Sequence, residues 1–120
     1  MHSAMMKDMI GLLCRLIETP SVSGSEEKTA ELLTDYLNTQ PGIHAERVGN
    51  NVVAKKDSQA AQLPTVLLCS HHDTVKPAAG YTRDPFVPVL EKDAQFRTRL
   101  YGLGSNDAKG PLVAMIRAFC

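Results

Sequence analysis

Residues 65–73 read Thr-Val-Leu-Leu-Cys-Ser-His-His-Asp, an apolar run that ends on polar side chains. The run does not alternate between polar and apolar residues, which is typical of a central strand covered on both faces. Side chains two apart on an extended segment point the same way, so His71 and Asp73 share a direction and His72 faces the other. Ligands of open α/β sheets tend to bind beyond the carboxyl ends of such strands. The stretch therefore predicts an α/β fold with a site just after Cys69, itself expected to be buried.

Three helices are predicted around this segment. Apolar residues recur at helical spacing from about Ala4 to Glu18, and Ser23 with Glu26 has the spacing of a capping box that would begin a second helix. The buried stripe of that second helix is predicted at Ala30, Leu33 and Leu37. A third helix, apolar on nearly every side, begins at Gly110-Pro111. Because such a helix belongs inside a larger body, we interpret residue 120 as a truncation point.

Shorter strand signals occupy the rest of the chain. Residues 45–48 and 52–55 flank a Gly-Asn-Asn turn signal and predict a hairpin. Residues 87–90 and 96–101 predict a second strand pair around the turn at 92–94. The proline-containing connection 76–88 is expected to be a loop.

The composition argues against several classes of partner. Thirteen basic residues balance thirteen acidic ones, which gives no reason to expect binding to nucleic acid or to an anionic membrane. No apolar run is long enough to span a bilayer, and residues 1–8 lack the pattern of a secretory signal. The three cysteines are widely spaced and match no zinc-finger or disulfide framework, so we expect a reducing compartment, the cytoplasm.

A second polar stretch gives the site a candidate carboxylate. Residues 100–110 read Leu-Tyr-Gly-Leu-Gly-Ser-Asn-Asp-Ala-Lys-Gly, a glycine-rich turn before the third helix. Asp107 either caps that helix or binds a cation, and its two oxygens can also bridge two cations. A His-x-Asp triplet alone fits an ordinary surface or core histidine better than a ligand. A metal site would use His71 as the ligand and Asp73 to fix its tautomer, and a bulge would let His72 replace His71.

Taken together, the two stretches resemble a known family. Residues 70–75 are similar to its Gly-His-x-Asp-x-Val segment, with Ser70 in place of glycine, and residues 101–110 are similar to its Tyr-Gly-x-Gly-x-x-Asp-x-Lys-Gly segment. The family is the zinc aminoacylase/carboxypeptidase group, peptidase family M20, which contains acetylornithine deacetylase and succinyl-diaminopimelate desuccinylase. The resemblance extends over nearly the whole chain. The connection at 76–86 is most similar to that of the acetylornithine or succinylornithine deacetylase branch.

The resemblance implies a role for each site residue. His71 would bind one of two zinc ions, Asp107 would bridge both, and Asp73 would orient His71 for catalysis. Cobalt is a possible substitute for zinc, and the Asp107–Ala108 peptide bond would be cis. Residues 1–120 would form the N-terminal portion of a three-layer αβα catalytic domain with a mixed central sheet. The general base, the remaining ligands and the lid or dimerisation domain would lie beyond residue 120.

The implied activity is removal of the acyl group from a small N-acyl amino acid, such as N-acetyl- or N-succinylornithine. A homodimeric full-length protein fits the resemblance, and the 120-residue piece alone is expected to be inactive. Two alternatives stay open: a dipeptidase or carboxypeptidase of the same family, and a non-enzymatic interaction module that docks through the apolar helix after Gly110. Arg83 is a weak candidate for contacting a substrate carboxylate, and Lys109 is interpreted as a solvated lysine at the helix start.

Overall fold

The computed structural model describes residues 3–57, 60 and 62–120. These residues form, in chain order, helices α1 (Ala4–Glu18) and α2 (Glu27–Asn38), strands β1 (Ile43–Val48), β2 (Asn51–Lys56), β3 (Val89–Lys92) and β4 (Thr98–Tyr101), and helix α3 (Lys109–Phe119). Strand β1 pairs antiparallel with β2, and β3 pairs antiparallel with β4, in two separate sheets. The predicted α/β composition is confirmed. The three-layer arrangement around a mixed sheet stays a prediction, because the residues described form only these two hairpins.

Helix α1 has the predicted bounds. The hydroxyl of Ser3 accepts the Met6 N–H at 3.2 Å and so caps the first turn. One face of the helix buries Leu12, Leu16 and Ile17, and Pro20 follows two residues after its end, where proline commonly terminates a helix.

Helix α2 begins at Glu27, and the predicted capping box is wrong. The residue before the helix, Glu26, makes no side-chain capping bond. Instead the Ser23 hydroxyl donates to the carboxylate of Asp73, and the Glu26 carboxylate accepts the Gly24 N–H at 2.6 Å. Both polar side chains are therefore used in contacts that local spacing does not reveal.

The core lies between the three helices and the first hairpin. The predicted stripe on α2 is buried, and α3 packs against α1 through its own apolar face. The buried cluster consists of Leu12, Leu16, Leu33, Leu37, Ile43, Ala45, Leu112, Val113 and Ile116. Truncating one of its leucines to alanine should cost about 2–5 kcal/mol of stability. The face of α3 that carries Leu112, Val113 and Ile116 is thus covered, while Met115 and Phe119 are only partly buried, and the docking surface suggested for an interaction module stays a prediction.

The first hairpin runs slightly further than predicted. Its register pairs Ile43 with Lys56 at one end and Val48 with Asn51 at the other, leaving Gly49 and Asn50 as the turn. Gly49 has a φ of 63°, a conformation that glycine adopts readily. This turn lies next to the candidate site, because the Asn50 carbonyl accepts a hydrogen bond from His72.

The predicted central strand at residues 65–69 is not formed. Val66 is 78% exposed and Leu67 is 87% exposed, and Cys69 is exposed rather than buried. An apolar strand needs hydrogen-bonding neighbours at both edges and a layer on each face. Within the part of the chain described, no strand pairs with residues 65–69, so their burial would have to come from polypeptide outside it.

The second hairpin and the loop before it hold each other in place. Arg83 makes a bidentate salt bridge with Glu91, at 2.7 and 2.8 Å, and lies 4.1 Å from the centre of the Tyr101 ring. The Leu103 N–H donates to the Pro85 carbonyl at 2.7 Å. Arg83 thus has a structural partner, which accounts for its position without a substrate. None of the three described helices is long and apolar enough to cross a membrane.

Candidate metal centre

His71 lies between two carboxylates. Its Nδ1 is 3.0 Å from Asp73 Oδ1 and 3.2 Å from the Asp73 carbonyl oxygen. Both of these oxygens can only accept, so Nδ1 is assigned the proton. On the other side of the ring, Nε2 is 3.1 Å from Asp107 Oδ1. The structure therefore brings together the three residues selected from the sequence, across 36 positions of chain.

The Asp73 carboxylate is held at both oxygens. Oδ1 accepts from His71, and Oδ2 accepts from the Ser23 hydroxyl. The bond from Ser23 is the main cause that lowers the pKa of Asp73. Burial opposes it, and His71 adds to the lowering through its charge and hydrogen bond. Asp73 is thus kept as a carboxylate, the form that can accept and hold the Nδ1 proton.

The pKa of His71 is raised although burial pulls it down. The Asp73 carbonyl, the Asp73 carboxylate and the negative charge of Asp107 together outweigh the burial effect. Protonation of Nε2 competes with binding of a metal ion, so binding should weaken as the pH falls.

His72 points away from this cluster, as the two-residue spacing predicts. Its Nε2 donates to the Asn50 carbonyl at 2.9 Å, and its Nδ1 lies 2.8 Å from the Thr29 hydroxyl. Both ring nitrogens are therefore engaged on the opposite side of the segment. The alternative in which His72 replaces His71 is wrong for this structure.

Asp107 projects from the glycine-rich turn, and its side chain is 86% exposed. It does not cap α3: the residue before that helix is Ala108, and no side-chain capping bond is made. The capping explanation of Asp107 is therefore wrong. The Asp107–Ala108 bond is cis, as the resemblance implies.

Close approach leaves no room for a side chain at Gly104 in the turn and at Gly110 in the first turn of α3. A Cβ on Gly104 would lie 2.8 Å from Thr74 Cγ2, and one on Gly110 would lie 2.3 Å from the Ser105 carbonyl oxygen. Gly104 also has a φ of 83°, which side chains disfavour. The turn thus packs directly against Thr74, one residue beyond Asp73. This contact sets the distance between the two halves of the site.

Lys109 is buried, contrary to the prediction of a solvated side chain. It is only 1% exposed, and its Nζ donates to the Leu16 and Thr19 carbonyls at 2.6 and 3.3 Å. Burial lowers the pKa of this ammonium group to about 8. A cation at the C-terminal end of a helix is favourable, and here it ties the Asp107 turn to α1. Its spacing from Leu112, Val113 and Ile116 (i, i+3, i+4, i+7) already indicated this buried face.

The segment after α1 also holds the His71–Asp73 stretch. Ser21 donates its hydroxyl to the His72 carbonyl at 2.8 Å and accepts the Thr74 N–H at its own carbonyl, also at 2.8 Å. The Ser23 N–H donates to the Thr74 carbonyl at 3.1 Å. One end of α1 is therefore linked to both halves of the site. Sequence reasoning missed this role of Ser21 and Ser23, because the partners lie about fifty residues away.

The donors present fit part of a zinc site. Neighbouring ligand atoms around a tetrahedral zinc are roughly 3.3 Å apart, given bonds of about 2.0–2.1 Å. The 3.1 Å between His71 Nε2 and Asp107 Oδ1 is close to that spacing, and an imidazole with a carboxylate suits zinc. Among the residues described, no three His, Cys, Asp or Glu side chains are arranged to hold a metal ion. Further ligands would have to come from elsewhere.

Two clefts open at the cluster. His71 and Asp73 line a cleft of about 680 Å³ whose walls are mainly residues of β2, α3 and the uncovered segment 66–70. Asp107 lines a smaller one of about 300 Å³ together with Val75 and Tyr81. The pair of candidate ligands is therefore accessible from two sides.

Comparison with curated proteins finds relatives along nearly the whole chain, although no family profile matches it. The chain is 36% identical over 124 residues to acetylornithine deacetylase of Proteus mirabilis and 35% identical over 120 residues to succinyl-diaminopimelate desuccinylase of Anaplasma marginale. It is 34% identical over 110 residues to a probable carboxypeptidase of Emericella nidulans. These alignments cover 91%, 92% and 86% of this chain but only 30%, 29% and 24% of the relatives. The chain thus spans less than a third of the length of these proteins.

Proposed function

Because the chain belongs to peptidase family M20, we propose that it forms part of a zinc-dependent amidohydrolase that removes the acyl group from an N-acyl amino acid. The observation that carries this proposal is the 3.1 Å approach of His71 Nε2 to Asp107 Oδ1. Two of the relatives are named as a deacetylase and a desuccinylase. Their names each join an acyl group to an amino acid, which supports an N-acetyl- or N-succinylornithine-like substrate.

His71 and Asp107 would hold the metal, and Asp73 would hold His71. By keeping the proton on Nδ1, Asp73 leaves the Nε2 lone pair directed at Asp107 and available to a cation. The exposed carboxylate of Asp107 has a second oxygen free to face another cation. When bound, zinc supplies a Lewis acid that polarises the amide carbonyl and makes water a better nucleophile at neutral pH.

The general base is proposed to lie outside these 120 residues. Glu26 lines the same cleft as Asp73, but its oxygens accept from the Gly24 N–H and from the Asn50 amide. Those bonds lower the pKa of Glu26, the Gly24 bond most, and leave it a poor proton acceptor. We therefore propose that the chain is the N-terminal portion of a three-layer αβα catalytic domain and is inactive alone. We also propose that the complete protein is homodimeric and cytoplasmic and that cobalt can replace zinc.

A carboxypeptidase or dipeptidase is the second candidate, favoured by the carboxypeptidase among the relatives. The test is to assay the complete gene product on N-acetylornithine, N-succinylornithine and an unmodified dipeptide, before and after chelation and zinc addition. Faster zinc-dependent release of ornithine supports the deacylase, and faster dipeptide cleavage supports the peptidase. If no amide substrate is hydrolysed with zinc or cobalt present, the proposed function is wrong.

A further inference from the structure

Ser23 contacts the candidate centre through Asp73 and not through His71 or Asp107. Its hydroxyl donates to Asp73 Oδ2, while the other oxygen of the same carboxylate accepts from His71 Nδ1. Ser23 is fifty residues away in sequence and is exposed. Burial of the side chain therefore does not explain its position.

We propose that Ser23 is a positioning residue for the metal ligand His71, acting through Asp73. The hydroxyl holds Oδ2, which fixes the plane of the carboxylate and presents Oδ1 to the Nδ1 proton. The imidazole then keeps one tautomer and one orientation, with Nε2 facing Asp107 at 3.1 Å. The inference rests on the proposed function, because it assigns Ser23 a role toward the metal that His71 would bind.

The backbone holds Ser23 firmly enough for this role. Its N–H donates to the Thr74 carbonyl at 3.1 Å, and Val22 forms a parallel bridge with Thr74. On the other side, the Gly24 N–H donates to the Glu26 carboxylate at 2.6 Å. The serine is thus anchored to the same segment that carries Asp73, so its hydroxyl and the carboxylate move together.

The carboxylate needs such a partner because its own torsion is soft. The terminal torsion of aspartate is broad rather than restricted to staggered wells. The Asp73 carbonyl, 3.2 Å from Nδ1, also competes for the same proton. That carbonyl would still favour the Nδ1–H form, but without the Ser23 bond Oδ1 would rotate away part of the time, and Asp107 Oδ1, 3.1 Å from Nε2, would draw the neutral ring partly into the Nε2–H tautomer. Loss of a group that orients a metal-binding histidine typically costs about 10- to 100-fold in metal affinity.

Four variants of the complete gene product separate the hydroxyl from other effects. Ser23→Ala removes it, while Ser23→Thr keeps it and Ser23→Val replaces it with a methyl group of similar shape. Ser21→Ala is the matched control, because the Ser21 hydroxyl also holds this segment but donates to the His72 carbonyl and not to a carboxylate. Two properties are measured: the zinc dissociation constant by competition with a chelating dye, and the tautomer of His71 by nitrogen-15 NMR of labelled histidine, in metal-free protein at a pH high enough for the ring to be neutral.

We expect Ser23→Ala and Ser23→Val to weaken zinc binding by about tenfold or more and to mix the two tautomers of His71. Ser23→Thr should stay within about threefold of the wild type and keep the Nδ1–H form. Ser21→Ala should lower the thermal unfolding midpoint but leave the tautomer unchanged.

The proposal is overturned if Ser23→Val binds zinc as tightly as Ser23→Thr, or if Ser21→Ala perturbs the tautomer as much as Ser23→Ala. The tautomer needs no metal, so it tests the role of Ser23 separately from the proposed function. If the wild type binds no zinc while Ser23→Ala still loses the Nδ1–H form, the proposed function and the metal role of Ser23 are wrong. Only its contact with Asp73 would then stand. If the wild type hydrolyses N-acyl amino acids while the His71 tautomer is unchanged in Ser23→Ala, the Ser23 proposal alone is wrong.

Discussion

The two segments that carry the candidate ligands differ in how they are supported. The turn 102–108, which carries Asp107, packs against Thr74 and is tied to α1 by the buried ammonium of Lys109. The apolar segment 65–69, which leads into His71, is largely exposed and pairs with no strand among the residues described. A turn defined by close local packing is complete within this chain. The strand predicted at residues 65–69 is not formed among the residues described, because a central strand depends on hydrogen-bonding neighbours that are not present there.

The largest effect is expected from removing the carboxylate that joins the two segments. Asp107→Ala in the complete gene product should lower the rate of N-acyl amino acid hydrolysis by about a thousandfold or more, because a metal contributes several kcal/mol to stabilising the transition state. Asp35→Ala, at an exposed position on α2, is the control for the substitution type. An Asp107→Ala enzyme with more than a tenth of the wild-type kcat/KM would remove Asp107 from the metal site.

The exposed segment 65–69 offers the most direct test of the difference between the two segments. If further polypeptide covers residues 65–69, Leu67→Ala should reduce the unfolding free energy of the complete protein by about 2–5 kcal/mol, like Leu33→Ala in the core described here. Denaturant unfolding of both variants gives the two values. A change below about 0.5 kcal/mol for Leu67→Ala would mean that the segment stays exposed and that the predicted central strand is wrong.

The start of α3, which packs back on the turn 102–108, should tolerate no added atom at Gly110. Gly110→Ala places a methyl group against the Ser105 carbonyl oxygen, which is backbone and cannot swing away, so a loss of about 1–3 kcal/mol is expected. Gly11→Ala is the matched control, because a Cβ there meets nothing within 4 Å and should stabilise α1 by about 0.5–1 kcal/mol. Urea unfolding should move in opposite directions for the two variants. Equal shifts would show that the turn is less tightly packed than described.

A polar contact outside both segments serves as a baseline and should give the smallest effect. The Tyr36 hydroxyl donates to Asp8 Oδ2 at 2.6 Å, and burial with this bond raises its pKa to about 12. Because the folded-state pKa is raised, the stabilising contribution of the Tyr36 hydroxyl is fully present below the usual pKa of about 10 and is lost as the pH rises through 12. Tyr36→Phe should lower the unfolding free energy by about 1 kcal/mol near neutral pH. Above pH 10 the variant should lose less stability than the wild type. An unchanged stability profile would mean that the contact does not persist in solution.

Local signals predicted much of this structure, and long-range contacts account for what they missed. Helical periodicity placed α1 at its observed bounds, and the spacing of His71 and Asp73 predicted their shared direction even without a regular strand. The capping-box interpretation of Ser23 failed because its hydroxyl is used by a carboxylate fifty residues away. Lys109 was misread because a charged residue was assigned to solvent, although its helical spacing placed it on the buried face.

The zinc content of the complete protein tests directly whether His71 and Asp107 are ligands of the same metal. Elemental analysis of the purified wild type, of His71→Ala and of Asp107→Ala, each equilibrated with equal zinc, measures the ions held per chain. We predict that His71→Ala loses one ion and that Asp107→Ala, which removes a bridging carboxylate, loses both. If both variants hold as much zinc as the wild type, His71 and Asp107 are not ligands of a shared metal.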